Sequence, residues 1–437
     1  MRDRTNITLD DALADAVARY TAANPASAAR HDVARASLPG GNTRAVLFYE
    51  PFPLAMSGGE GAWLTDLDGH VYIDLVSEYT AGVYGHSEPL VRDAMTRALA
   101  DGWVLGAPNR HEGALAAAIV ARFPAIERVR FCNSGTEANL MALSIARAVT
   151  GREAILVMRE GYHGGILTFA HGGSKLNAPF EFHFADYNDV PGVSAAIAGL
   201  GPRLAAVILE PMLGGGGCIA ATPAFLSAVR AGCDATGALM VLDEVMTSRL
   251  APGGLHGVHG LRPDLVALGK YLGGGASFGA FGGRAELMDR FDPAAPGAFG
   301  HGGTFNNNVL SMAGGLAGLT QVFTPEACVA MNDRGDRLRV GLNAIFARAG
   351  VAACVSGVGS IMNVHFVPGP VTDPHAVEAQ DRRLLKLWQL ELMLKGFYAT
   401  PRGMIALSLP FGEAELAATL AAAAEIVATH RAVLPPA

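Results

Sequence analysis

At 437 residues, half of them apolar and 17% charged, the chain is long enough for two lobes around a large core. A net charge of −7 provides no basic field, which excludes nucleic acid and anionic membrane surfaces as expected partners. Five dispersed cysteines lack metal or C-x-x-C spacing. No apolar leader follows Met1 and no uncharged run reaches membrane-spanning length, so a soluble, cytoplasmic protein is expected.

Leu9 to Ala22 has the pattern of an amphipathic helix, followed by an irregular Pro/Gly segment, Leu38 to Arg44. The runs Trp63–Asp66 and Val71–Asp74 flank Asp68-Gly69, a hairpin signal. From about residue 88, helix and strand patterns alternate. Helices are predicted near 89–100, 112–122, 136–150, 192–199 and 223–236. Between them lie short apolar runs at 129–132, 154–158, 204–209, 239–242, 265–268 and 280–282. Several are apolar throughout, as expected for strands covered on both faces, so the class is α/β with a mostly parallel sheet. A helix over 309–323 ends at Thr324-Pro325. Beyond it come a long helix, strands at 361–366 and 404–409, and helices at 377–395 and 413–430. The expected division is an N-terminal segment (1–65) that joins the small lobe, a large domain (66–324) and a C-terminal small domain (325–437). The small lobe is α+β.

Only four lysines accompany the 29 arginines, and Lys270 stands apart from the other three. It follows the apolar run Leu265–Leu268 on a glycine-rich turn. Burial disfavours an ammonium and lowers its pKa, as a Schiff-base amine requires. The earlier run Leu239–Leu242 ends in Asp243-Glu244. A strand-end amine paired with a strand-end acid suits pyridoxal 5′-phosphate (PLP), whose aldehyde needs the amine and whose ring nitrogen needs the carboxylate. The competing reading is a buried Lys–Asp ion pair.

Ligands of open α/β sheets bind beyond the carboxyl ends of the strands. There, Ser134-Gly135-Thr136 opens a helix and offers free N–H groups to a phosphate, or is an ordinary cap. Tyr162 follows the next strand with a ring on which a flat cofactor could stack, and Glu210 ends the strand after that. The glycine runs 214–217 and 273–275 do not fit nucleotide-binding patterns, and the dispersed histidines make a zinc site unexpected.

Asn133-Ser134-Gly135-Thr136-Glu137-Ala138, Gly161-Tyr162-His163-Gly164, Asp243-Glu244-Val245-Met246-Thr247 and Leu268-Gly269-Lys270 together resemble the class III aminotransferases of PLP fold type I. The resemblance runs from about Leu38 to Leu409. Within that class the segments 42–49, 78–86, 303–308 and 400–403 look like the β-amino-acid and β-phenylalanine aminotransferases, with glutamate-1-semialdehyde aminomutases as a related group.

The resemblance implies that Lys270 condenses with PLP and shuttles the proton, with Asp243 on the ring nitrogen. Tyr162 and Val245 would sandwich the ring, with Glu210 nearby. Ser134, Gly135 and Thr136 would take the phosphate, with Thr304 arriving from the partner of a homodimer. Tyr79 and Met246 would line the substrate pocket. Arg44 would clamp the carboxylate of a β-amino acid and Arg402 that of 2-oxoglutarate or another α-keto acid, in two ping-pong half-reactions. A planar guanidinium is suited to that bidentate task. Intramolecular amino transfer, as in the aminomutases, is the alternative, and a PLP-binding protein without turnover is a further one. Pro401-Arg402-Gly403 stands where the aminomutases are expected to carry an acidic loop, which favours the two-substrate reaction.

Overall fold

A seven-stranded sheet forms the centre of the computed structural model, which describes residues 8–437. Its strands are β1 (Arg128–Cys132), β2 (Ala154–Met158), β3 (Glu181–Ala185), β4 (Leu204–Leu209), β5 (Leu239–Asp243), β6 (Leu265–Gly269) and β7 (Gly279–Gly283). They lie in the order β1-β7-β6-β5-β4-β2-β3. Neighbours from β3 through β6 run parallel, and β7 is antiparallel to both β6 and β1.

Alternation along β2 shows why these runs are apolar throughout. Ile155 and Val157 pack with Ala138, Ala142 and Leu143 of the helix Gly135–Thr150. Leu156 and Met158 pack on the other face with Val193 and Ile197, and with Phe225 and Val229 of the helix Pro223–Thr236. Successive side chains of a strand point to opposite faces, so helices on both sides leave no position for a polar residue.

The hairpin of Trp63–Asp66 and Val71–Asp74 forms as expected, with Trp63 opposite Ile73. Phe397–Tyr398, from near the other end of the chain, adds to it as a parallel strand on Val71–Asp74. A second small sheet joins Cys354–Val358, Ile361–His365 and Met404–Ala406. Among the described residues no helix is long and apolar enough to cross a membrane.

Several elements differ from expectation. The helix starting at Val309 ends at Ala317, and Gly318–Val322 forms a π-helical turn. Gly318 lies against Tyr84, where a Cβ would stand 2.4 Å from the ring hydroxyl, so close packing rather than periodicity sets this segment. The helix expected at 377–395 begins only at Arg382, because Asp381 caps it by accepting from the Arg383 N–H. The helix Pro25–Arg35 and the edge strand β3 carry patterns too short to stand out from loop in the sequence.

Candidate active site

Because β1, β2, β4, β5 and β6 run in one direction, their carboxyl ends open on one edge of the sheet. The polar residues after each strand meet there. Asp243, the last residue of β5, is buried and accepts three hydrogen bonds. Its Oδ2 accepts from Asn139 Nδ2 at 2.7 Å and lies 2.8 Å from His163 Nδ1, while Oδ1 accepts from the Val245 N–H at 3.0 Å. Donors on both oxygens hold the carboxylate in one orientation.

Lys270 begins the turn after β6 with a left-handed backbone (φ 56°). That conformation is uncommon for a residue with a side chain and clusters at functional sites. Its Nζ donates to the Tyr79 carbonyl at 2.6 Å. Burial above all, with the Arg44 charge, lowers the ammonium pKa to about 8 against opposition from Asp243 and Glu78.

The helix Gly135–Thr150 starts directly after β1. Ser134 is its N-cap, with Oγ accepting from the Glu137 N–H at 3.2 Å, so the capping reading of this hydroxyl holds. The first-turn N–H groups of Gly135 and Thr136 have no helical partner and carry the positive end of the helix dipole. Gly135 has no room for a side chain, since a Cβ there would lie 2.8 Å from the Val245 side chain. Gly164, at φ 126°, is equally constrained: a Cβ would come within 2.1 Å of Thr136 Oγ1, which accepts from the Gly165 N–H at 3.3 Å. The loop after β2 is thereby fastened to the helix start, with the Tyr162 ring 47% exposed beside it.

Glu210 serves two loops at once. Oε1 accepts from the Tyr162 N–H at 3.0 Å and Oε2 from the Gly214 N–H at 2.8 Å. Burial holds this carboxyl above the ordinary carboxylate range, with Asp243 adding repulsion. Gly214 packs on Met246, whose sulfur would lie 2.4 Å from a Cβ.

Tyr79 joins the amine to both candidate arginines. Its hydroxyl donates to the Val46 carbonyl at 2.7 Å, and the Arg44 guanidinium sits 5.6 Å from its ring centroid. Burial raises the Tyr79 hydroxyl to about 12, while the Arg402 and Arg44 charges pull the other way. Arg44 pairs with the exposed Glu78. Arg402 is exposed on the turn before Met404–Ala406, its carbonyl accepting from Asn363 Nδ2 at 3.1 Å. Thr304 stands exposed on a segment tied to the first strand-end loop of its own chain, where Asn133 Nδ2 donates to Asn306 Oδ1 at 2.9 Å.

Lys270, Asp243, Tyr79 and Arg44 thus lie close together, with Lys270 bonded to Tyr79, Arg44 over the Tyr79 ring, and the charges of Arg44 and Asp243 both acting on the amine. Sequence reasoning did not select Asn139, the side chain of His163, or Glu78. Asn139 carried a usable signal, a polar residue on the helix face that otherwise buries Ala138, Ala142 and Leu143. His163 adjoins the selected Tyr162 but has no spacing pattern of its own.

The class-III aminotransferase family model matches residues 48–385. The β-phenylalanine transaminase of Variovorax paradoxus is 51% identical over 431 residues, covering 99% of each chain. The crystal structure of a β-phenylalanine aminotransferase from the same organism superposes with a TM-score of 0.97 at 51% identity, covering 98% of this chain and 100% of that one. A transaminase with PLP bound matches with a TM-score of 0.86 at 30% identity, over 94% of this chain and 98% of that one. Agreement of motif, sheet order and end-to-end superposition has one reading: this chain belongs to the class-III aminotransferases, has PLP fold type I, and works with pyridoxal 5′-phosphate.

Proposed function

We propose that the enzyme moves an amino group from a β-amino acid, aromatic ones included, to an α-keto acid such as 2-oxoglutarate. The observation that carries this reading is the pair of guanidinium groups, Arg44 and Arg402, whose charges both bear on Tyr79 beside the Lys270 amine. Two carboxylate clamps beside one amine suit a pocket that must accept two acids in turn.

The chain's side chains fit the cofactor. The unpaired N–H groups of Gly135 and Thr136 suit a phosphate, with the Ser134 and Thr136 hydroxyls beside them. Val245 and the half-exposed Tyr162 ring offer two apolar faces for a flat ring. Asp243 is the acceptor for a protonated ring nitrogen, and Glu210 fixes the loops that carry Tyr162 and Gly214. When bound, PLP supplies an aldehyde for an amine and a ring that delocalises the charge left by a departing proton. Lys270 Nζ is the base that takes the proton from the amino-bearing carbon of the donor, and its depressed pKa keeps it largely neutral in mildly alkaline solution. Arg44 binds the donor's carboxylate, Arg402 that of the keto acid, and Tyr79 and Met246 line the space between.

The arginines make the reading testable, because the two half-reactions can be followed separately by cofactor absorbance. Arg44→Ala should impair the reaction with a β-amino acid more than the return reaction with 2-oxoglutarate, and Arg402→Ala should do the reverse. Losing one partner of a desolvated charge pair costs about 2–5 kcal/mol, roughly thirtyfold to several-thousandfold in specificity constant. Equal damage to both half-reactions from either change would reject the two-clamp reading. Conversion of an amino aldehyde without any keto acid would favour intramolecular transfer instead.

We also infer a homodimer. Trp103, Val104, Leu105 and Phe305 are 51–80% exposed, and a soluble monomer rarely shows such an apolar cluster. Asn109 Nδ2 donates to the Asn307 carbonyl at 2.8 Å, which joins the segment of Trp103–Leu105 to that of Thr304. The family resemblance implies that Thr304 of a second copy would reach the phosphate loop. Sedimentation velocity should give a particle of twice the 45.3 kDa chain mass; a single-chain mass at micromolar concentration would count against it.

A further inference from the structure

Two adjacent carbonyls beneath the active site are each held by a cation. The Tyr79 carbonyl accepts from Lys270 Nζ at 2.6 Å, and the next one, that of Thr80, accepts from Arg249 Nη1 at 3.2 Å. Arg249 is fully buried and, among the described residues, has no carboxylate partner. Its other contacts are the Leu407 carbonyl and the Met331 sulfur, 3.3 Å from Nη2, and its Nε has no partner. Asn332 Nδ2 fixes the Arg249 carbonyl at 3.0 Å, so this side chain starts from an anchored backbone.

The segment it holds is unusual. Ser77, Glu78, Tyr79 and Thr80 all have positive φ, at 44°, 50°, 51° and 77°. A non-glycine residue visits this region singly, and four in succession form a left-handed turn that the chain does not adopt unaided. The buried hydroxyls of Ser77 and Thr80 have no hydrogen-bond partner, so they do not hold it. Asp74 Oδ1 secures the entry by accepting from the Val76 and Ser77 N–H groups, and the Gly82 N–H closes the turn on the Ser77 carbonyl. At the Thr80 end the fastening is the Arg249 guanidinium.

We propose that Arg249 is a positioning residue that locks the Ser77–Thr80 turn left-handed and so keeps the Tyr79 carbonyl where the free Lys270 amine docks. To carry the proton, a free Lys270 amine would have to stay close to the amino-bearing carbon of the donor. A carbonyl on a rigid turn gives it one fixed position. The same turn presents Glu78 to Arg44 and the Tyr79 ring beneath it, so Arg249 sets the near side of the substrate clamp as well. The inference rests on Lys270 being the catalytic amine.

The charged groups that bear on Lys270 are Arg44, Asp243, Glu78 and Arg249. With four lysines in the chain, protein labelled with ¹³Cε-lysine gives few enough signals to titrate each amine by NMR in the cofactor-free protein, Lys270 being assigned by its absence in Lys270→Ala. In Arg249→Met the Lys270 titration should rise toward the ordinary lysine value of about 10.4, because the carbonyl drifts, water enters and a cation is lost. Ser77→Gly, which accepts positive φ without cost and removes an unpaired hydroxyl, should bring it part of the way back when added to Arg249→Met. Arg249→Lys reaches one carbonyl in place of two and should shift it less, in the same direction. An unchanged Lys270 titration in folded Arg249→Met overturns the proposal. So does failure of Ser77→Gly to restore it, which would leave Arg249 acting by charge or core packing alone. If Arg249→Met does not fold, Arg249→Lys with and without Ser77→Gly decides by the same two criteria. The titration needs no cofactor or substrate, so it can fail while Lys270 remains the catalytic amine, and the reverse.

Discussion

Lys270→Ala is expected to take turnover to the limit of detection while the protein still binds PLP through the phosphate loop. On the proposed reading the change removes the amine that follows β6 and carries the proton, a transfer that alone contributes about 10²–10⁴-fold. Borohydride treatment followed by peptide mapping is the check. In the wild type it should fix a pyridoxyl group on the peptide containing Lys270, and in Lys270→Ala on none. A modified Lys175, Lys386 or Lys395 peptide would move the assignment elsewhere. The structure argues against those three: Lys386 and Lys395 are engaged by Glu50 and Glu425, and Lys175 lies in a loop.

Asp243→Asn should leave cofactor binding largely intact and slow proton removal from the donor by about 10²–10³-fold, the scale of losing one preorganised electrostatic partner. The geometry sharpens the expectation. Both oxygens of Asp243 face donors, Oδ2 toward Asn139 and His163 and Oδ1 toward the Val245 N–H. An amide in either orientation turns its own N–H₂ toward at least one of them, so the variant loses a hydrogen bond as well as a charge. Single-turnover absorbance with a saturating amino donor isolates the step. Near-normal rates in folded Asp243→Asn would reassign the role, with Glu210 and Glu244 next in line. Glu244 is the weaker of these, since its carboxylate already accepts from the His256 and Leu255 N–H groups and the Thr247 hydroxyl.

Much of the site was legible because the chemistry sits at strand ends. A parallel, doubly covered sheet needs short, wholly apolar strands, and such runs are visible in the chain as 154–158, 204–209, 239–242 and 265–268. The polar residues that follow closely after such runs are then site candidates without knowledge of which strands are neighbours. That reasoning reached Ser134, Glu210, Asp243 and Lys270, and the spaced motifs added Arg44 and Arg402.

Other features depend on contacts that no local pattern encodes. Ser77 to Thr80 contains no glycine, so nothing in its composition announces four left-handed residues. The turn exists because Asp74, Gly82 and the distant Arg249 close it. Arg249 reads as one arginine among 29, and only burial without a carboxylate distinguishes it. The strand Phe397–Tyr398 pairs with Val71–Asp74 across more than 300 residues, and the segment after Val309 leaves the α-helix because Gly318 meets Tyr84. By itself, then, the sequence determined the sheet, its strand ends and the placing of Lys270 and Asp243 at two of those ends, since apolar run length and the polar residues that follow a run are local properties. Tertiary structure alone decided how the amine is held, which carbonyl receives it and what keeps that carbonyl in place, because those depend on hydrogen bonds between residues far apart in the chain.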